Sequence, residues 1–254
     1  WNENTFPGCL GNVVAGRVAN RFNLGGTNCV TDAACASSLA ALHMGIGELQ
    51  LGTSDRVLTG GVDALNTIFM YMCFSKTPAM SASGHCRPFA AGADGTMMGE
   101  GGGMLALRRL EDAERDGDAI YAVIRGLGSS SDGRSKSVYA PRPEGQTLAL
   151  QRCYRQAGYS PASVRLVEAH GTGTAAGDLC EATALNAVFS AADSTRRQWC
   201  ALGSVKSQIG HTKGAAGTAG MIKVALSLRH QALPPTANID APHPELGFAD
   251  SPLY

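Results

Sequence analysis

Cys35 is the strongest candidate nucleophile of the chain, because small residues surround it where a predicted helix begins. The sequence DAACASS spans residues 32–38, and the apolar spacing that follows predicts a helix over 35–50. Unpaired N–H groups and the positive dipole end at a helix N-terminus favour thiolate over thiol, and the same N–H groups can hold an oxyanion. A buried structural cysteine is the commoner role for an isolated cysteine, so Cys35 needs further support.

Two histidines follow predicted strands in similar glycine-rich settings. His170 lies in EAHGTGT after a strand predicted over 164–168, and His211 ends KSQIGH after a strand predicted over 201–205. Strand carboxyl ends are where α/β sheets build their sites, and neutral imidazoles can donate hydrogen bonds to a thioester carbonyl or polarise a carboxylate. A lone strand-end histidine is more often structural, but two in matched settings support each other and Cys35.

Lys206 precedes His211 in the same segment and is a further candidate residue of the site. It is either a solvated surface lysine or a buried ammonium that pairs with a carboxylate, and Glu181 is the candidate partner in the second case. Residue types and spacing leave both alternatives open.

Strands and helices must alternate to position these side chains, and the hydrophobic pattern predicts that they do. Buried strands are predicted over 56–60, 103–107 and 120–124, in addition to the two that precede the histidines. Helices are predicted over 110–116, 144–157, about 178–189 and about 215–230, several of them bounded by glycine or proline. The repetition of strand, glycine-rich turn and helix predicts a layered α/β fold, and no domain boundary is visible within residues 1–254.

Composition and charge exclude several classes of function. The chain has 254 residues with 21 basic and 21 acidic side chains, and so has no basic excess for nucleic acid or an anionic membrane. No apolar run approaches transmembrane length, and no signal segment is recognisable. Eight scattered cysteines without zinc-ligand spacing predict a reduced, cytoplasmic protein without a metal site. The glycine-rich runs over 99–103 and 210–220 lack the context of nucleotide-binding loops.

Three blocks in this order resemble the signature motifs of β-ketoacyl synthases of polyketide synthases: DAACASS at 32–38, EAHGTGT at 168–174 and KSQIGH at 206–211. The resemblance extends over essentially the whole chain and includes RPF at 87–89, ADG at 93–95, GEG at 99–101 and PPTAN at 234–238. It implies a thiolase-like fold with α-β-α-β-α layers built from two related halves. Residues 1–254 would then be the end of the N-terminal half and most of the C-terminal half of one ketosynthase domain.

The resemblance also implies a role for each candidate residue. Cys35 would accept the growing acyl chain from an acyl carrier protein or CoA. His170 and His211 would assist decarboxylation of the malonyl carrier and stabilise the resulting enolate, and Lys206 would be an electrostatic lysine with Glu181 as its partner. No metal and no bound cofactor are expected, because phosphopantetheine arrives on the acyl carrier protein. The family's usual homodimer is expected for the intact protein.

Residues 70–78 and 139–146 are similar to polyunsaturated fatty acid synthases rather than to modular polyketide synthases. Two alternatives to the condensing enzyme are a thiolase-type acyltransferase, which does not decarboxylate, and a non-catalytic ketosynthase-like partner subunit. Both are disfavoured, because thiolases rely on a second catalytic cysteine and one histidine, and partner subunits lack the nucleophilic cysteine.

The sequence lacks segments that complete ketosynthases have on both sides. The strands and helices that normally precede the cysteine block are absent, as is the C-terminal GFGG-type loop that supplies a second oxyanion-hole N–H in the family. The fold is therefore expected to be incomplete, and we expect the isolated chain to be poorly stable or inactive.

Overall fold

The computed structural model describes residues 1–77, 79–134 and 140–254. Its strands are β1 (Val57–Asp63), β2 (Gly101–Leu107), β3 (Leu166–Glu168) and β4 (Ala201–Gly203). Its α-helices are α1 (Thr5–Gly8), α2 (Val14–Phe22), α3 (Ser37–Gln50), α4 (Ile68–Lys76), α5 (Leu110–Arg115), α6 (Pro143–Ala157), α7 (Ala175–Ala192), α8 (Lys206–Ile209) and α9 (Ala216–His230). Among the described residues, none of these helices has the length and apolar character that crossing a bilayer requires.

The described residues divide into two compact units. The first unit contains Trp1–Asp63, Gly101–Ile120 and Lys213–Thr218, and the second contains Ala64–Glu100, Tyr121–Thr212 and Ala219–Tyr254. In the first unit, β1 and β2 pair antiparallel, from Val57 opposite Leu107 to Asp63 opposite Gly101. Helix α3 packs against β1 so closely that a Cβ on Gly45 would be 2.8 Å from the Val57 Cγ1. This contact fixes the helix that begins next to Cys35.

Arg109 joins α3 to α5 within the first unit. Its guanidinium donates to the carbonyl oxygens of Leu49 and Ser54, each at 3.0 Å, and pairs with the carboxylates of Asp55 and Asp112. The Leu49 carbonyl lies in the last turn of α3 and also accepts the Gly52 N–H at 3.3 Å, so Arg109 adds a second donor to this helix end. The C-terminal end of α3 is therefore held by a side chain from the segment between β2 and α5.

The second unit is built around the parallel pair β3 and β4, with Leu166 opposite Ala201 and Glu168 opposite Gly203. Helix α6 packs against α7 and is capped at its C-terminal end by Gly158, which has the left-handed conformation that favours glycine at this position. The core of this unit combines side chains of α7, of the residues just before β4 and of the C-terminal segment, namely Leu185, Val188, Phe189, Trp199, Cys200 and Leu253. Burial of these apolar side chains is the main force that holds β3 and β4 beneath α7.

Most predicted elements are present, with shifted ends. Helices α5, α6 and α9 lie within one residue of their predicted limits, whereas α7 begins at Ala175 rather than near residue 178. The predicted strand over 120–124 is wrong, because this segment joins neither of the two described sheets and Tyr121 and Val123 are exposed. An apolar run becomes a strand only where a neighbouring strand supplies backbone hydrogen bonds. Helices α1, α2, α4 and α8 correspond to no predicted helix.

Candidate active site

Cys35 lies in the first unit, in the turn that leads into α3. A single 3₁₀ turn over Ala34–Ala36 continues directly into the helix at Ser37. Ala34 has a φ of 50°, in the left-handed region that residues other than glycine seldom adopt. The cysteine is half-buried. Its predicted position at the start of a helix is thus confirmed.

Asp32 and Ser37 hold this turn on either side of Cys35. The Asp32 Oδ1 accepts the Ala34 N–H at 2.8 Å, and the Ser37 Oγ donates to the Ala34 carbonyl oxygen at 2.6 Å. The Ser37 Oγ also accepts the Ala33 N–H at 2.9 Å. These hydrogen bonds offset a left-handed backbone conformation that costs about 1–2 kcal/mol in an L-residue. The sequence from Asp32 to Ser37 therefore builds, by itself, the turn that presents the thiol.

His170 and His211 lie together in the second unit. Their ring centroids are 5.3 Å apart, and the ring planes meet at 84°. His170 follows the end of β3 closely, as predicted, but helix α8 separates His211 from β4. The prediction of a strand-end position is therefore wrong for His211, which reaches the first histidine through α8 and Gly210. The structure nevertheless brings the two predicted histidines side by side.

The backbone of His211 is fixed by residues 97–99. The His211 N–H donates to the Met97 carbonyl oxygen at 2.7 Å, and the Gly99 N–H donates to the His211 carbonyl oxygen at 3.1 Å. A Cβ on Gly99 would lie 2.2 Å from the Ile209 carbonyl oxygen, so only glycine fits at this position. Gly99 therefore has a structural role, and the His211 side chain that it helps to hold is buried.

Glu181 and Lys206 both contact the backbone next to the His170 ring. The Glu181 carboxylate accepts the N–H groups of His170 at 2.7 Å and Gly171 at 2.8 Å, and the Lys206 ammonium donates to the His170 carbonyl oxygen at 2.6 Å. Lys206 is only 3% exposed, so it is a buried ammonium and not a surface lysine. Burial raises the pKa of Glu181, while its backbone hydrogen bonds and the charge of Lys206 act in the opposite direction. A direct ion pair between Lys206 and Glu181 stays a prediction.

Asp178 is a supporting residue that the sequence did not single out. It lies in the first turn of α7, is buried, and accepts the N–H groups of Phe89 at 2.7 Å and Gly173 at 3.1 Å. Burial raises the pKa of this carboxyl to about 6. Asp178 thereby anchors the turn that follows His170. An acidic residue in the first turn of a helix after a glycine-rich turn is the signal that could have identified it.

His170 is expected to stay neutral well below neutral pH. Desolvation by neighbouring atoms, and then the positive charge of Lys206, lower the pKa of His170 to about 4, although the residue as a whole is exposed to solvent. The folded-state pKa lies below the usual value of 6.5, so the unfolded chain binds an extra proton between these values. The contribution of His170 to stability is therefore complete above about pH 6.5 and is lost as the pH falls towards about 4.

A histidine NMR titration of the native protein checks this expectation. The His170 resonances should titrate with a midpoint near pH 4, and replacement of Lys206 by methionine should move that midpoint upwards. A midpoint near 6.5 in the wild-type protein would show that desolvation and Lys206 do not shift the pKa of this ring.

These groups have the chemical properties that thioester reactions require. A neutral imidazole donates from one ring nitrogen and accepts at the other, so the histidine pair of the second unit can hydrogen-bond a developing oxyanion. In the first unit, Cys35 lies at the N-terminal end of α3, and the positive end of a helix dipole favours a thiolate over a thiol. A thiolate forms covalent acyl intermediates readily.

The chain matches two family models and several curated proteins. Residues 2–113 match the N-terminal domain of β-ketoacyl synthases, and residues 121–240 match their C-terminal domain. The chain is 51% identical over 243 residues to one component of the polyunsaturated fatty acid synthase of Thraustochytrium sp., an alignment that covers 95% of this chain and 9% of that protein. It is 44% identical over 242 residues to mycoketide-CoA synthase of Mycobacterium tuberculosis, and this alignment covers 95% of this chain and 6% of that protein.

Solved ketosynthase structures are similar over nearly the whole chain. The ketosynthase from module 6 of the bacillaene synthase of Bacillus subtilis 168 has a TM-score of 0.92 at 42% identity, over 94% of this chain and 43% of that one. An oxazolomycin ketosynthase domain from Streptomyces albus JA3453 has a TM-score of 0.91 at 36% identity, over 95% of this chain and 41% of that one. The predicted thiolase-like fold class is therefore confirmed.

The chain spans less than a tenth of these curated relatives and less than half of these solved chains. Of the two segments that resemble polyunsaturated fatty acid synthases, Pro78 and Tyr139 lie outside the described residues. The two family models, in the same order as the sequence motifs, together extend from residue 2 to residue 240 with a gap at 114–120. The chain belongs to the β-ketoacyl synthase family.

Proposed function

We propose that the native protein that carries this chain extends an acyl chain by decarboxylative Claisen condensation. The observation that supports this most strongly is the adjacent pair of His170 and His211 rings, with Lys206 and Glu181 bound to the backbone next to them. The same chain has Cys35 at the start of α3. In this proposal residues 1–254 are part of one ketosynthase domain.

The first step is acyl transfer to Cys35. Its thiolate attacks the carbonyl carbon of an acyl thioester on acyl carrier protein or CoA, and N–H groups at the start of α3 stabilise the oxyanion. The bond from that carbon to the pantetheine sulfur then breaks. The pantetheine thiolate leaves and takes up the proton that Cys35 lost, and the acyl group stays on Cys35 as a new thioester.

The second step forms the carbon–carbon bond. In malonyl carrier protein the bond between the α-carbon and the free carboxylate breaks, carbon dioxide leaves, and the electron pair becomes an enolate. His170 and His211 donate hydrogen bonds to the enolate oxygen, where negative charge develops. The enolate carbon attacks the acyl carbonyl on Cys35, the carbon–sulfur bond breaks, and the Cys35 thiolate is regenerated. Lys206 and Glu181 hold His170 in place during this step.

The proposed partners are acyl carrier protein, which supplies phosphopantetheine, and a second copy of the same protein. The 51% identity to a polyunsaturated fatty acid synthase component supports a fatty acyl substrate over a polyketide one. A cytoplasmic location agrees with the cysteines of the described residues, which form no disulfide.

Carbon dioxide release tests the proposal directly. The native protein should release labelled carbon dioxide from carboxyl-labelled malonyl carrier protein and form a β-ketoacyl carrier when an acyl donor is present. Omission of the acyl donor is the control and should stop β-ketoacyl formation. A protein that forms no β-ketoacyl product would contradict the proposal, and condensation without release of label would indicate thiolase-type chemistry instead.

A further inference from the structure

A buried ion pair in the second unit joins Glu168 to Lys223. The Glu168 Oε2 and the Lys223 Nζ are 2.7 Å apart, and the two side chains are only 7% and 8% exposed. Glu168 is the last residue of β3, just before His170, and Lys223 lies in α9, the helix that follows His211. Both charges have been removed from water at considerable cost, and neither residue has a role in the reaction steps above.

The second oxygen of the same carboxylate reaches the other histidine-bearing loop. The Glu168 Oε1 accepts the Val205 N–H at 2.5 Å, and Val205 directly precedes Lys206 at the start of α8. One side chain on the segment that leads into His170 therefore contacts both the segment that leads into His211 and helix α9. Among the described residues, Glu168 Oε2 and Lys223 Nζ have no hydrogen-bond partner beyond the ion pair itself.

Two glycines next to the ion pair leave space for its side chains. A Cβ on Gly220 would lie 3.1 Å from the Glu168 Cγ, so the helix surface next to the carboxylate has room for glycine and little more. A Cβ on Gly203 would lie 2.9 Å from the Thr236 Oγ1 and 3.5 Å from the Lys223 Nζ. Helix α9 and strand β4 can approach the pair because both present glycine to it.

The segment that contains Thr236 supports the same turn from another direction. The Ala237 N–H donates to the Ser207 Oγ at 3.0 Å, and the Asn238 Nδ2 donates to the Ser207 carbonyl oxygen at 2.7 Å. The Gln208 Nε2 donates to the Pro235 carbonyl oxygen at 3.2 Å. Residues of α8 are thus held by residues 235–238, while the residue just before α8 is held by Glu168.

We propose that the Glu168–Lys223 ion pair positions the two histidines. Lys223 orients the Glu168 carboxylate, and this carboxylate fixes the distance between the loops of His170 and His211. The effect that we infer on decarboxylation rests on the proposed function. The essential contact is the hydrogen bond to Val205, and the ion pair orients the acceptor that makes it. Glu168 and Lys223 are positioning residues and touch no reacting atom in this proposal.

Two charge-free double variants of the native protein separate the hydrogen bond from the ion pair. Glu168→Gln with Lys223→Met keeps an oxygen that can accept the Val205 N–H, whereas Glu168→Leu with Lys223→Met has no acceptor. Both avoid a buried unpaired charge. We expect the glutamine variant to decarboxylate malonyl carrier protein at close to the wild-type rate. The leucine variant should be about 100-fold slower, with acylation of Cys35, followed by mass spectrometry, nearly unchanged.

A matched control distinguishes positioning from simple loss of stability. Leu185→Ala removes a buried core side chain of the same unit that lies in the cluster with Phe189 and Trp199, so it destabilises the unit without changing the contacts of Glu168. It should lower decarboxylation and Cys35 acylation equally or leave both unchanged. If the leucine variant fails to fold, the exchange Glu168→Lys with Lys223→Glu replaces it, because it keeps the charges paired but has no acceptor at position 168.

A second readout does not depend on catalysis. The charged and titratable groups of this unit next to His170 are Lys206, His211 and Glu181. A shifted α8 changes the position of Lys206 and His211, so the NMR titration midpoint of His170 should rise in the leucine variant and stay unchanged in the glutamine variant and in Leu185→Ala.

Equal decarboxylation rates and equal His170 midpoints in the two charge-free variants would overturn the inference, as would the same changes in Leu185→Ala. If the wild-type protein does not decarboxylate malonyl carrier protein, the proposed function fails instead. In that case the comparison of His170 midpoints still decides whether Glu168 positions the loops.

Discussion

Replacing Cys35 by alanine is expected to lower the rate of condensation by at least about 10³-fold while decarboxylation of malonyl carrier protein continues. The reason is that the acyl group then cannot form a thioester with residue 35, so the enolate has no electrophile to attack. His170 and His211 lie in the second unit, and we expect the contact between their two rings to persist in this variant. Mass spectrometry of the protein after incubation with an acyl donor should show an acyl adduct on the wild-type chain and none on the variant.

Cys29 provides the matched control, since it is exposed and lies shortly before the turn that holds Cys35. Cys29→Ala should form the acyl adduct and condense like the wild-type protein. Normal condensation by Cys35→Ala would show that the assignment of the nucleophile is wrong. Loss of activity in both variants, with a lower urea midpoint in both, would point to damage to the turn instead.

Replacing either His170 or His211 by alanine is expected to lower decarboxylation by about 10²–10⁴-fold, while acylation of Cys35 continues. Each imidazole supplies one of two hydrogen bonds to the enolate oxygen in the proposed reaction, and adjacent donors act as a unit. The double variant should therefore be little slower than either single variant, because effects within one catalytic unit are not additive. Release of labelled carbon dioxide measures the first effect, and mass spectrometry of the acyl adduct measures the second.

His230 serves as the control for these variants, since it is the exposed last residue of α9. His230→Ala should decarboxylate at the wild-type rate. If His170→Ala and His211→Ala instead lost acylation of Cys35 and kept decarboxylation, the roles proposed for the thiol and the imidazoles would have to be exchanged. Additive losses in the double variant would mean that the two rings act in separate steps.

Local patterns in the sequence were sufficient for much of the fold. The limits of α6 and α9 follow from glycine or proline nearby, and those of α5 from a run of charged residues, and these are short-range signals. The turn at Cys35 is also local, because Asp32 and Ser37 form it with the backbone of Ala33 and Ala34. Where a structure depends on neighbours close in the chain, the order of the residues is nearly enough to specify it.

Pairing across the chain was not predictable in the same way. The apolar run over 120–124 resembles a strand, but strand formation depends on a partner, and neither described sheet includes it. Lys206 was equally compatible with the surface and the interior until the structure showed its ammonium at the His170 carbonyl oxygen. Spacing cannot reveal such contacts, because residues far apart in sequence are brought together only by packing.

The sequence by itself determined the family, the candidate nucleophile and both candidate histidines, because three short motifs in a fixed order specify them. Only the tertiary structure placed the His170 and His211 rings 5.3 Å apart, buried Lys206, and paired Glu168 with Lys223. The physical reason is that a buried charge is tolerable only beside a partner, and the fold selects that partner. Which residues can react is therefore decided in short segments, whereas how their charges are held is decided by packing.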